Sequence, residues 1–235
     1  MNGPIRIEEA MADRITLTAE DGHDFEAWRS APDRPMGGIV VLHAIYGMTS
    51  HMADVCDLYA EAGIAAIAPS LYDRSGRGIV FGYDAAGRAG GMARRETLGE
   101  TTVLADVAAA LDSLRPSGPV AVQGFCTGGT WAWIAAARLP LDAAVIYYGS
   151  DVYEHRALSP SCPAILHYGD RDAVVPFDEA EAIRDAHPGL EFHVYPGADH
   201  AFFNPEQESH DAAAAETAHR RTIAFLEARF GDARR

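Results

Sequence analysis

VAVQGFCTGGTWAWIAAA, residues Val120 to Ala137, decides how this chain is read. A short apolar run with strand character, Val120 to Phe125, stops at a cysteine held between glycines. A helix-period segment, Thr127 to Arg138, starts on its far side. Gly124-Phe125-Cys126-Thr127-Gly128 has the G-x-nucleophile-x-G spacing of a nucleophile elbow, and its position between strand and helix is the setting that motif requires. The turn is so tight that side chains two residues to either side of the nucleophile collide with neighbouring backbone, which leaves glycine. Cys126 then projects at the positive end of the following helix. There the dipole and the exposed first-turn amides favour the thiolate and lower the thiol pKa below its free value of about 8.5. The amide of Thr127 points the right way to receive an oxyanion.

Working outward, short apolar runs alternate with longer helix-period segments, the pattern of parallel strands crossed by helices. Strands are expected at Gly38 to Ala44, Ile64 to Pro69, Val120 to Phe125, Ala143 to Tyr148, Ala164 to Tyr168 and Phe192 to Tyr195. Their Val, Ile, Leu and Ala content suits a sheet covered on both faces. Ile15 to Trp28 reads as an antiparallel hairpin turning at Asp21-Gly22. Helices are expected at Ser50 to Ala62, Thr97 to Leu114, Thr127 to Arg138, Asp178 to Ala186 and His210 to Phe230. The fold class is therefore α/β, with a mostly parallel central sheet and helices on both faces. The 235 residues read as one domain. Asp73 to Glu96 departs from this regularity with six glycines and five arginines, and reads as a glycine- and arginine-rich loop near the active site. Within it, "GYDAAGRAGG" follows no expected strand and opens no expected helix, so it is not a cofactor signal.

A triad on this fold runs in the order nucleophile, acid, base, with the last two on loops after late strands. "AILHYGDRDAVVP" supplies Asp170 and Asp172; "FHVYPGADHAFFNP" supplies Asp199 and His200. Among the histidines, His200 alone sits just past a late strand in a glycine-containing loop, and it is the expected base. Asp199 is a poor partner for it, because adjacent side chains of extended chain point apart. Asp172, on the far side of its loop, is the better-placed acid, with Asp170 as the alternative. Cys56 and Cys162 read as buried small hydrophobes.

A formal charge of -15 and the lack of a compact basic run exclude nucleic acid and anionic membrane surfaces as partners. Met1 to Thr16 shows no basic start followed by an apolar core, and no segment approaches the roughly 20 apolar residues that span a bilayer, so a cytoplasmic location is expected. Three cysteines at wide spacing form neither a disulfide framework nor a zinc site, and no metal is expected.

With these residues in place, the chain resembles the dienelactone hydrolase family of α/β-hydrolases from about Ile15 to Phe225. "DGHDFEAW" looks like the family's first hairpin, "AIYGM" like its loop after the third strand, and "APSLYDR" like its next strand end. "GFCTGG" is similar to its elbow, "YYG" to the strand after it, and "GDRDAVVP" and "GADHAF" to its acid and base loops. The resemblance implies a Cys126, Asp172 and His200 triad, adds the Ile45 amide beside Thr127 as a second oxyanion donor, and implies hydrolysis of a small-molecule lactone or other carboxylic ester without cofactor. Ala44 stands where typical members carry glutamate, and Asn204 where members acting on anionic dienelactones carry arginine. The joint loss removes a charge pair and leaves no lone buried charge. Substrate contacts are expected from Tyr46, Phe202 and the loop arginines Arg74 and Arg88, with Arg77 a further candidate. His43 reads as a strand-end residue packed against the elbow. The rival functions are a non-catalytic ligand-binding or sensing protein on the same fold, and a hydrolase of thioester or peptide bonds.

Overall fold

The order of the strands explains where a ligand can bind. The computed structural model describes residues 12–233, so the reading of Met1 to Thr16 falls, as far as Met11, outside it. Eight strands form one sheet: β1 (Asp13–Thr18), β2 (Asp24–Ser30), β3 (Gly38–Leu42), β4 (Ala65–Pro69), β5 (Val120–Phe125), β6 (Ala143–Tyr147), β7 (Ala164–Gly169) and β8 (Glu191–Tyr195). They are ordered β1-β2-β4-β3-β5-β6-β7-β8. β1 and β2 form the expected antiparallel hairpin, β2 also meets β4 antiparallel, and every pair from β4 to β8 is parallel. The chain leaves β3 for β4 on one side and later returns to place β5 on the other. That reversal opens a crevice beyond the carboxyl ends of β3 and β5, the general ligand site of open α/β sheets.

β3 through β7 are buried along their whole length, as expected of parallel strands covered on both faces. The covering helices are α1 (Ser50–Glu61), α3 (Glu100–Leu114), α4 (Thr127–Arg138), α5 (Phe177–Ala186) and α6 (Ala212–Ala233), with α2 (Ala85–Arg95) near the crevice. Right-handed crossovers send α1 to one face and α3 and α4 to the other. α6 joins α1, where Tyr59 meets His219 ring to ring at 6.1 Å. Several polar groups inside this core are paired. Gln123 of β5 accepts from the Tyr59 hydroxyl, and His167 of β7 bonds Tyr195 at 2.8 Å and Thr222 at 3.0 Å. Burial keeps that imidazole neutral by holding its pKa well below the ordinary value. No helix of the described residues is long and apolar enough to cross a membrane.

The structure corrects one element. The glycine-rich stretch after Asp84 does open a helix, α2, whose first turn is capped by the Asp84 carboxylate accepting from the Gly87 amide at 2.7 Å. Its glycines are there for contact. A Cβ on Gly87 would lie 1.9 Å from the Gly82 carbonyl oxygen, one on Gly90 2.6 Å from the Phe81 ring, and one on Gly91 2.4 Å from the Ile45 carbonyl oxygen. α3 consequently starts later than expected, at Glu100: the Thr97 hydroxyl donates back to the Arg94 carbonyl at 2.7 Å and closes α2 instead.

This packing fixes the sign of a substitution. In an exposed helix Gly91→Ala stabilises by about 0.5–1 kcal/mol. Against the Ile45 backbone it destabilises, by about 1–3 kcal/mol, and the midpoint of urea unfolding falls. A raised midpoint would show that α2 does not pack on Ile45.

Candidate functional site

Strained backbone marks the crevice. Among the described residues the non-glycine positions with positive φ are Cys126 at 54°, Tyr148 at 39° and Ala201 at 61°, and all three line the same cavity of about 330 Å³. Such conformations cost about 1–3 kcal/mol each and persist where the surrounding structure over-determines them. At the elbow the determinant is close approach. A Cβ on Gly124 would sit 1.9 Å from the Gly128 carbonyl oxygen, and one on Gly128 2.2 Å from the Leu42 carbonyl oxygen at the end of β3. The Cys126 amide donates to the Tyr147 carbonyl at 3.1 Å, and the Cys126 carbonyl accepts from Thr130 and Ser150, each at 3.2 Å. The backbone of the turn is thus tied to β6, to α4 and to the loop after Tyr148.

The loops after β7 and β8 are pressed together, since a Cβ on Gly169 would lie 2.1 Å from the Ala198 carbonyl oxygen. From the first loop, the buried Asp172 carboxylate accepts the Val174 and Val175 amides, both at 2.8 Å. His200, from the second, donates Nδ1–H to the same carboxylate, 2.8 Å from Oδ2 and 3.0 Å from Oδ1. The other two aspartates brace the loops. Asp170 accepts from the Gly197 amide at 2.6 Å; Asp199 accepts from the Ala173 amide at 2.9 Å and the His200 amide at 2.6 Å. Of the candidate acids, Asp172 is the one that meets the His200 imidazole.

The second imidazole nitrogen, Nε2, is sealed from solvent without a well-formed hydrogen bond, and its electrostatic partner is the Cys126 sulfur. Burial raises the Cys126 thiol pKa, but the charge and proximity of His200, with the amide and hydroxyl of Thr127, outweigh it and hold the thiol below its ordinary value. For His200 the order is the same with the signs reversed: burial lowers the imidazole pKa, while the Cys126 thiolate and the Asp172 carboxylate raise it, to about 10. Cys56 and Cys162 differ. Burial pushes both thiols up, Cys162 to about 11, and holds them protonated.

Ile45, Tyr46, Arg88, Thr127, Ala44 and Asn204 all line the cavity. The Ile45 carbonyl accepts from the Tyr72 hydroxyl at 2.9 Å, which together with Gly91 fixes the peptide just beyond β3. Two expected contacts are corrected. Arg74 is not in the cavity wall: its guanidinium is bonded to both oxygens of buried Asp106, at 2.9 and 2.7 Å, and to Asp21 at 2.7 Å. Phe202 is fully buried among Tyr148 and Tyr195, with ring centres 5.3 and 5.0 Å away. Arg77 donates to the Asp24 carbonyl, at 3.1 Å. His43 is buried between Ala44 and Leu71, its Nδ1 donating to the Ala44 carbonyl at 2.7 Å and its Nε2 accepting the Leu71 amide at 3.1 Å. Sequence reasoning passed over His51, Tyr83 and the Arg95–Asp151 ion pair, 2.9 Å apart, all in the cavity wall. The signal for Tyr83 and Arg95 was the glycine-rich stretch itself, once read as a helix.

Residues 25–230 match the model of the dienelactone hydrolase family. The chain is 29% identical to a carboxymethylenebutenolidase of Pseudomonas putida, over 92% of this chain and 96% of that one. It is also 29% identical to carboxymethylenebutenolidase 1 of Cupriavidus pinatubonensis, over 92% and 97%. A solved structure of a Klebsiella pneumoniae chain provisionally named a dienelactone hydrolase superposes with a TM-score of 0.75 at 28% identity, covering 90% of this chain and 98% of that one.

The two pKa shifts set a pH window. Thiolate forms as pH rises through the lowered Cys126 value, and imidazolium is lost as pH rises through about 10. Alkylation of Cys126 by iodoacetamide, followed by peptide mapping, therefore reaches half its plateau rate below about pH 8.5. In His200→Ala, burial is left as the dominant effect and the midpoint moves above that value. A wild-type midpoint at or above it contradicts the pairing.

Proposed function

Because this chain belongs to the dienelactone hydrolase family, and is accordingly an ester-bond hydrolase, we propose that it cleaves lactones or other carboxylic esters through Cys126, His200 and Asp172. The observation that carries this reading is the meeting, at one cavity, of a strained cysteine with a depressed pKa and an imidazole whose other nitrogen is held by a buried carboxylate.

The reaction begins with the Cys126 thiolate attacking the ester carbonyl carbon. A C–S bond forms, and the carbonyl oxygen takes up the electron pair as an oxyanion. The Ile45 and Thr127 amides receive that charge; each donor of this kind is worth about 3 kcal/mol in related acyl transfers. Collapse breaks the C–O bond to the leaving group, and the alkoxide takes the Nε2 proton of His200. In a lactone the leaving alkoxide stays attached to the acyl chain. Neutral His200 next removes a proton from water, the resulting hydroxide attacks the thioester carbonyl, and collapse releases the carboxylic acid and restores the Cys126 thiolate beside imidazolium. Asp172 holds the imidazole in the tautomer and orientation both steps need. A thiolate leaves a tetrahedral intermediate more readily than an ordinary alkoxide, so the first collapse runs forward best with stabilised leaving groups, such as the enolate of an enol lactone or the phenolate of an aryl ester.

Ala44 and Asn204, in the cavity wall, support a resting Cys126–His200 ion pair, because no glutamate stands at position 44 to take part. They also support a substrate that is neutral or anchored differently from an anionic dienelactone. Tyr46 and Arg88 are the proposed substrate contacts. Arg88 is exposed on α2, lines the cavity, and has no ion-pair partner among the described residues.

Turnover of p-nitrophenyl acetate separates this reading from ligand binding alone. Cys126→Ala loses at least about 10³-fold in kcat, and Asp172→Asn loses on the order of 10²–10⁴-fold with KM little changed. Undiminished turnover by Cys126→Ala would contradict the proposed nucleophile.

A further inference from the structure

One polar group in the cavity has no task in the reaction above. His51 lies in the first turn of α1, lines the same cavity as Cys126, and is only 5% exposed. Among the described residues its buried Nε2 has no hydrogen-bond partner. Aromatic rings flank it, Phe125 at 5.5 Å and Phe203 at 6.1 Å. A buried imidazole nitrogen without a partner carries a desolvation cost that evolution ordinarily removes by pairing or by an apolar residue. A group that pairs only when a ligand is present accounts for that cost.

Resting on the triad reading for its reaction centre, we propose that His51 determines specificity: its Nε2 hydrogen-bonds an uncharged oxygen of the substrate, so the preferred ester or lactone carries a hydroxyl, ether or carbonyl oxygen remote from the bond that breaks.

The surroundings select the ligand's charge. Burial is the largest influence on the imidazole and holds its pKa down at about 4; Glu206 opposes this and His210 adds to it. The positive end of α1 also disfavours imidazolium. His51 is therefore neutral at working pH and offers no charge to a carboxylate. Two other polar groups of the cavity wall, Tyr83 and Asn204, are uncharged too. Tyr83 donates its hydroxyl to Thr49 at 3.0 Å, and the Asn204 carbonyl oxygen is already occupied by the Glu206 amide at 2.9 Å. The Glu206 carboxylate accepts from Ser50 at 2.6 Å and, close to His51, repels an anion. A neutral oxygen satisfies the imidazole without opposing that field. A pure alkyl chain leaves Nε2 unpaired, and sites built to hydrogen-bond a substrate atom discriminate strongly against analogues that lack it.

The test uses pairs of p-nitrophenyl esters that exchange one methylene for oxygen: methoxyacetate against butanoate, 3-methoxypropanoate against pentanoate, and 4-methoxybutanoate against hexanoate. Each kcat/KM ratio is divided by the ratio of the two alkaline hydrolysis rates, which removes the inductive effect. Ratios within one preparation do not depend on how much of a variant is folded. Wild type is expected to favour the oxygenated ester about tenfold at one chain length. His51→Phe brings that ratio close to one, and His51→Gln, which keeps a donor, retains part of it. The proposal is overturned if no chain length shows a preference, or if His51→Phe slows both members of a pair equally. Cys126→Ala is assayed in parallel: turnover there removes the triad, while the His51→Phe ratios still decide the role of His51.

Discussion

Two carbonyl oxygens, those of Gly128 and Leu42, sit where a side chain on Gly124 or Gly128 would have to go, and the rest of the site follows from that contact. It forces β5 to turn into α4 within a single residue and leaves Cys126 at a backbone angle that non-glycine residues avoid. Because the second oxygen belongs to β3, the same contact presses the start of α4 onto the strand whose following loop supplies Ile45. The β3–β5 pairing, with Leu42 opposite Gly124, fixes the height of the two loops relative to one another. A thiol and a neighbouring peptide from a distant part of the chain are brought together by packing between backbones.

Electrostatics complete what packing begins. Left to burial, the Cys126 thiol would stay protonated, as Cys56 and Cys162 do. The contrast among three cysteines of one chain isolates the cause, since only Cys126 has an imidazole and a helix amide as neighbours. His200 in turn keeps its proton because Asp172 and the thiolate face it from two sides. Each group in the row sustains the charge state of the next, and the rigid loop holding Asp172 through two amides sets where the row starts.

β5 and α4 were legible to the residue because their signals are local: an apolar run, a glycine-flanked cysteine, and an alanine-rich helical period. The buried parallel strands were legible for the same reason. What the sequence hid was tertiary. Gly87, Gly90 and Gly91 argue against a helix by propensity, and only the proximity of Gly82, Phe81 and Ile45 explains them. Arg74 carries no mark that its partner is Asp106, 32 residues away. Phe202 follows His200 by two residues. Between them, however, Ala201 takes a positive φ, and His200 lines the cavity while Phe202 is buried in the aromatic core. Asp172 was preferred to Asp170 from its place in the loop alone; its hydrogen bond to the His200 imidazole, where Asp170 instead takes the Gly197 amide, belongs to the folded chain.

The central claim is that the acyl group passes through a thioester on Cys126. Acid quenching within the first turnovers of an aryl ester, followed by peptide mass analysis, reads this directly. The account predicts an acyl mass increment on the peptide holding Cys126, absent from those holding Cys56 and Cys162, that decays at the rate of steady-state turnover. An acyl group found on another residue, or full turnover with Cys126 never acylated at any time point, would contradict it.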